Sequence, residues 1–188
     1  MNIHAAVVAG SLLALNLSLA KVAALLSLPV YMDTVGTILA ASLLPFRYGA
    51  LVAALTSLLG GLIVHPAFAF YIGTQVVIAV IAVIAVRRGM FRYWWTALIT
   101  GVLIAVTAAL VSAPVTVMVF GGVTLSGTTA INAILLSAGK SLWESVITGS
   151  LVIESIDKTV SAFMVWVILS RLPQSVISRL KTGSSSNQ

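Results

Sequence analysis

Asp33, Glu144, Glu154 and Asp157 are the only acidic residues of this 188-residue chain, and Lys140 and Lys158 stand among them. Glu154 and Lys158 are four apart, the spacing at which side chains meet on one helical face, so they can simply pair. The same groups can also converge on a ligand. Carboxylates and an ammonium orient the polar edges of a small molecule, while aromatic rings cover its plane. Tyr31, Tyr71, Gln75, Asn132 and Trp143 stand at similar depth in the apolar pattern and complete the set. Gln75 lies well inside an apolar run, where an amide binds ligand or hydrogen-bonds a neighbouring helix. The candidate substrate-binding residues are therefore Tyr31, Asp33, Tyr71, Gln75, Asn132, Lys140, Trp143, Glu144, Glu154, Asp157 and Lys158.

Catalysis is not expected. The chain has no cysteine, which removes thiolate nucleophiles, thiolate metal sites and disulfides. No G-x-S-x-G occurs, and His4 and His65 are too far apart to make a nucleophile–base pair or a metal site. Gly139-Lys140-Ser141 resembles the end of a phosphate-binding loop, but position 134, where that motif needs glycine, is isoleucine. No cofactor is implied.

The elements that position these residues follow from composition. Sixty per cent of the chain is hydrophobic and 7 % charged, with a mean hydropathy of +1.16. Soluble domains carry about 25 % charged residues. Disorder, a coiled coil and a cytosolic nucleic-acid binder are excluded by the same count, and an all-α integral membrane protein is expected. The formal charge of +6 reads as membrane topology rather than as a nucleic-acid signal. A membrane-crossing helix takes about 20 apolar residues. The expected spans are Ala5–Leu28, Asp33–Leu44, Tyr48–Val64, Ala67–Val86, Trp94–Phe120 and Ile156–Leu169. The first run is too long for the core of a cleavable leader. The second is short for a crossing. Residues 121–155, interrupted by Gly127, Asn132, Gly139, Lys140, Glu144 and Gly149, are expected to form a long structured outer loop with one or two short helices. The alternative is a seventh span over Thr128–Ser150. Residues 1–173 make one membrane domain, and 174–188 a polar cytoplasmic tail.

Charge orients the six spans. Numbered from a cytoplasmic N-terminus, the inner segments hold Arg47, Arg87, Arg88, Arg92, Arg171, Arg179 and Lys181, and all four acids fall on the outer half. Both termini are then cytoplasmic. Tyr93, Trp94 and Trp95 fit an inner interfacial belt. Lys21 lies near the outer end of the first span, where it can snorkel outward or face the interior. Asn16 and Ser18 read as helix–helix contacts and His65 as a loop residue. Small residues recur at four-residue spacing in the first three spans, including Ala5, Ala9, Gly10 and Ala14, and such spacing lets helices approach closely. One face would dock a partner while the polar groups build a pocket.

The run Tyr31-Met32-Asp33-Thr34-Val35-Gly36-Thr37-Ile38-Leu39-Ala40, followed by Arg47-Tyr48-Gly49-Ala50-Leu51-Val52, resembles the substrate-binding S components of energy-coupling factor (ECF) transporters. Phe120-Gly121-Gly122 and Glu154-Ser155-Ile156-Asp157-Lys158-Thr159 look like a vitamin-type branch of that family. The resemblance covers roughly residues 5–173. It implies a six-helix subunit of a prokaryotic cell membrane, with an outward site for a vitamin-like heteroaromatic compound of pyridoxine, pyrimidine or riboflavin type. It also implies a transmembrane coupling subunit and two cytoplasmic ATPase subunits as partners. The loop after helix one would help cover the site, bringing Tyr31 and Asp33 near it. Ala5 and Ala9 match the A-x-x-x-A pattern that meets the coupling subunit, and Ala20 and Ala24 fit it as well. An independent secondary transporter or channel is the alternative.

Overall fold

The computed structural model describes residues 3–123 and 128–173. The polar tail from position 174, with Arg179 and Lys181, lies outside the described residues, as does Gly127. The described residues are helical and contain no strand. In chain order they form α1 (Ile3–Leu25), α2 (Val35–Leu43), α3 (Phe46–Ile63), a 3-10 turn (Pro66–Tyr71), α4 (Ile72–Arg87), α5 (Trp94–Met118), α6 (Thr128–Ser137) and α7 (Leu142–Arg171).

Four stretches are long and apolar enough to cross a membrane: Ile3–Leu25, Phe46–Ile63, Pro66–Arg87 and Trp94–Met118. α7 is also long, about 45 Å at 1.5 Å per residue, but it carries Glu154, Asp157 and Lys158. Those charges point inward and are buried, while Val152, Ile156, Val160, Phe163 and Val167 form its exposed face. The outer surfaces of α1, α3, α4 and α5 likewise expose large apolar side chains, with Leu62 at 84 %. A contiguous apolar exterior of this extent is what a lipid-facing surface requires and what a soluble monomer avoids.

α2 is short because it is an interior element. All nine of its residues are buried, and it packs against α1, α3, α4 and α7. A helix apolar on every side belongs in a core. Its first turn leaves backbone N–H groups without intrahelical partners, and α1 supplies one acceptor. Asn16 Oδ1 accepts from Gly36 N at 2.6 Å, while its Nδ2 donates to Thr37 Oγ1 at 2.9 Å and Thr56 Oγ1 at 3.0 Å. Gly36 is required at this crossing, since a Cβ would sit 2.0 Å from the Leu12 carbonyl oxygen. Asn16 is therefore the interhelical contact expected from its position, whereas Ser18, expected to be another, is exposed on α1. Lys21 Nζ donates to the Ile63 carbonyl at 2.9 Å and closes the last turn of α3.

Two expectations need correction. Residues 121–155 are not mainly a loop. α6 occupies Thr128–Ser137, and the expected sixth span is only the second half of a continuous helix that starts at Leu142. Nor does Thr128–Ser150 form one span. Gly139 takes φ +83°, a left-handed conformation that ends α6. Ser141 then opens α7 with a reciprocal cap in which its hydroxyl accepts from Glu144 N and Glu144 Oε2 accepts from Ser141 N at 3.0 Å. The expected fourth span, Ala67–Val86, is present as the continuous stretch Pro66–Arg87, whose first part, Pro66–Tyr71, is 3-10 and is started by His65, whose Nδ1 accepts from Ala67 N at 3.2 Å.

α5 and α7 make the most extensive helix contact. Gly101 permits it, because a Cβ there would lie 2.5 Å from Thr159 Cα and 2.8 Å from the Lys158 carbonyl oxygen. This close crossing sets the depth of Lys158.

Candidate functional site

A cavity of about 690 Å³ opens at one end of the bundle. Its walls come from the C-terminal halves of α1, α3 and α5 (Ala20, Ser57, Thr116), from Thr74 and Gln75 near the start of α4, and from Glu154 and Lys158 on α7. Arg47, Arg87, Arg88, Arg92 and Arg171 stand at the opposite ends of these helices.

Lys158 is the centre of the floor. Its side chain is 2 % exposed, with Nζ 3.1 Å from Asp33 Oδ1, 3.3 Å from Glu154 Oε2 and 2.5 Å from Asp157 Oδ2. An ammonium buried this deeply needs such partners, because desolvating a lone charge is prohibitive. Each carboxylate is held in its own way. Asp157 Oδ1 accepts two successive backbone amides, Tyr31 N at 3.0 Å and Met32 N at 2.7 Å. Met32 takes φ +54°, which turns both N–H groups to one side as an anion-binding concavity. Asp33 Oδ2 accepts from Gln75 Nε2 at 2.6 Å. Glu154 pairs with Lys158 one helical turn on, as the spacing allowed.

The Tyr31 ring lies over Lys158, with Nζ 5.4 Å from its centroid, and its hydroxyl meets Thr128 Oγ1 at 3.3 Å. The segment between α1 and α2 is thus fastened to α7 and α6 and forms part of the cavity wall. Opposite it stands an aromatic wall. Tyr71 and Phe120 stack at 6.0 Å with 20° between planes, and Tyr71 OH bonds Thr116 Oγ1 at 2.9 Å. Phe68 lines the same space.

Of the sequence candidates, Tyr31, Asp33, Tyr71, Gln75, Glu154 and Lys158 line the cavity, and Asp157 supports them from behind. The other four lie elsewhere. Asn132 is buried between α6 and α7, donating to the Gly122 carbonyl at 2.9 Å. Lys140, Trp143 and Glu144 are exposed at the α6–α7 turn. Glu144 is occupied by the helix cap, and the Ser141 amide and hydroxyl hold its carboxyl below the usual carboxylate value. Among the small residues, α1 turns Ala5 and Ala9 inward onto Ala40, Leu43 and Tyr48, whereas Gly10 and Ala14 face outward.

Ser57, Phe68, Thr74, Ser112, Thr116 and Phe120 also line the cavity and were not among the candidates. One signal could have found some of them. Ser112 and Thr116 are four apart near the C-terminal end of α5, which puts two hydroxyls on one face.

What the arrangement can do follows from its parts: apolar and aromatic walls, a few directed polar groups and a volume in the range of small-molecule sites. Among the described residues, no group of three or more His, Asp or Glu is disposed to hold a metal ion. No protein-family model matches the chain, and no curated protein or solved structure is significantly similar to it.

Proposed function

We propose that the chain is the substrate-binding S component of an ATP-driven ECF-type importer for a small vitamin-like heteroaromatic compound of pyridoxine, pyrimidine or riboflavin type. The observation that carries this reading is the 690 Å³ cavity, lined by α1, α3, α4, α5 and α7 and by the segment between α1 and α2. In this reading the chain crosses a prokaryotic cell membrane six times, with α2 as a short buried crossing and both termini cytoplasmic. The arginines then lie inside, and the cavity faces outward. The sequence runs around Tyr31–Ala40 and Glu154–Thr159 support it, since both contribute to the cavity floor. The outward strip of Gly10, Ala14 and Ser18 on α1 is flat enough for a coupling subunit to approach closely.

Capture of the tagged chain from membranes of its source tests this. The expected result is co-purification of a membrane coupling subunit and two ATPase subunits, with ATP-dependent uptake by the reconstituted complex. Uptake by the chain alone in liposomes would overturn it and favour the second reading, an independent secondary transporter or channel. The specific observation on that side is the buried Asp33–Glu154–Asp157–Lys158 cluster, a kind of group that also serves in proton relays.

A further inference from the structure

The floor of the cavity carries more acceptors and more negative charge than its own partners use. Three carboxylates, Asp33, Glu154 and Asp157, share one ammonium. Asp157 has both oxygens engaged, and Asp33 is engaged by Lys158 and Gln75. Glu154 Oε2 is held only by its 3.3 Å ion pair with Lys158 Nζ, which is shared with two other carboxylates, and Gln75 Oε1 receives no hydrogen bond from the described residues. Both residues are over nine-tenths buried and line the cavity. Ser57 Oγ and Thr74 Oγ1, buried in the same lining, also have no hydrogen-bond partner among the described residues. A buried acceptor without a donor is costly, and more so when it is a carboxylate.

These unused groups define what should enter. We infer that the ligand of this cavity is a small organic cation, a protonated nitrogen base on an aromatic ring. Its N–H groups are taken by Glu154 Oε2 and Gln75 Oε1, and its ring lies along the Tyr71–Phe120 wall. The inference rests on the cavity being the substrate site proposed above and narrows the ligand to one charge class. An anion meets three carboxylates around an ammonium that already serves them. A bare metal cation meets that ammonium at the focus of the carboxylates, where the metal would have to sit. The remaining polar groups facing the space are compatible with a base. Tyr71 OH is engaged by Thr116, and His65 has Nδ1 held by the Ala67 amide.

Three isosteric probes separate the charge classes: benzamidine (cation), benzamide (neutral) and benzoate (anion). Binding to the detergent-purified full chain is read by calorimetry and by the shift in unfolding temperature. Benzamidine is expected to bind at least about tenfold more tightly than benzamide, as charge-assisted hydrogen bonds require, and benzoate to give no shift. Glu154→Gln, nearly isosteric, is expected to reduce that preference to about threefold or less with an unchanged elution profile. Equal or tighter binding of benzamide or benzoate overturns the inference, and so does binding of none of the three. An unchanged preference in folded Glu154→Gln overturns the role of Glu154. The wild-type comparison stands even where that variant does not fold. Failure here leaves the importer reading intact, because partner capture and ATP-dependent uptake judge that separately.

Discussion

Lys158→Met keeps the length and apolar stem of the side chain and removes only the ammonium. In the native protein that ammonium is shared by Asp33, Glu154 and Asp157 within 3.3 Å and is shut off from solvent. Its removal leaves three buried carboxylates facing one another. Stripping one partner from a buried ion pair costs about 3–5 kcal/mol. A carboxyl group of ordinary acidity can escape by taking up a proton, at about 4 kcal/mol at pH 7, which caps the loss per group. For a chain of this length, about 2–4 °C per kcal/mol then places the unfolding midpoint roughly 6–20 °C lower. The four tryptophans give the signal for thermal unfolding in detergent. Adding Asp157→Asn to Lys158→Met removes one of the stranded charges, while Oδ1 still accepts the Tyr31 and Met32 amides. The double variant is expected to recover about 1–3 kcal/mol relative to Lys158→Met. A single variant within about 2 °C of the wild type, or a double variant less stable than the single one, refutes the reasoning.

Asn16→Leu strands the Gly36 amide and the Thr37 hydroxyl inside the bundle; a loss of about 2–3 kcal/mol is expected in the same unfolding assay. Gly101→Ala sets a Cβ 2.5 Å from Thr159 Cα and is expected to cost about 1–3 kcal/mol and to weaken ligand binding, because the backbone at Lys158 must shift. Gly73→Ala, with open space around its Cβ, is expected to be neutral or to stabilise α4 by up to about 1 kcal/mol. Ser141→Ala removes the cap of α7 and is expected to cost about 1 kcal/mol, read as a lower midpoint, with ligand affinity unchanged.

The apolar runs between arginines and prolines located α1, α3, α4 and α5 to within a few residues, because long periodic segments bounded by breakers leave little choice. The start of α7 was hidden for a physical reason. Glu154, Asp157 and Lys158 lower the mean hydropathy of that stretch, yet all three face inward, and hydropathy averages over faces that the fold separates. α2 was recognised as short but not as fully interior, since burial on every side depends on four neighbouring helices. At the site, ionisable residues in apolar surroundings were legible as a cluster, and Asp33, Gln75, Glu154, Asp157 and Lys158 do meet. Lys140, Trp143 and Glu144 were expected in the same outer half of the membrane domain but sit at an exposed turn. Sequence shows which half a residue belongs to, not which face it takes. The Ser141–Glu144 cap has the S-x-x-E pattern, a signal passed over in naming Glu144 a ligand candidate. The inward turn of Ala5 and Ala9 depends on where α2 packs, and spacing alone left Gly10 and Ala14 equally eligible.

The central claim is that the cavity holds one small ligand tightly without help from another subunit. The most direct measurement is to purify the chain alone in detergent, denature it, and identify the released small molecules by mass spectrometry. One heteroaromatic compound with a protonatable nitrogen is expected, close to one per chain, and absent from Lys158→Met. Release of no compound, combined with no thermal stabilisation by a panel of vitamins and their precursors, would contradict it.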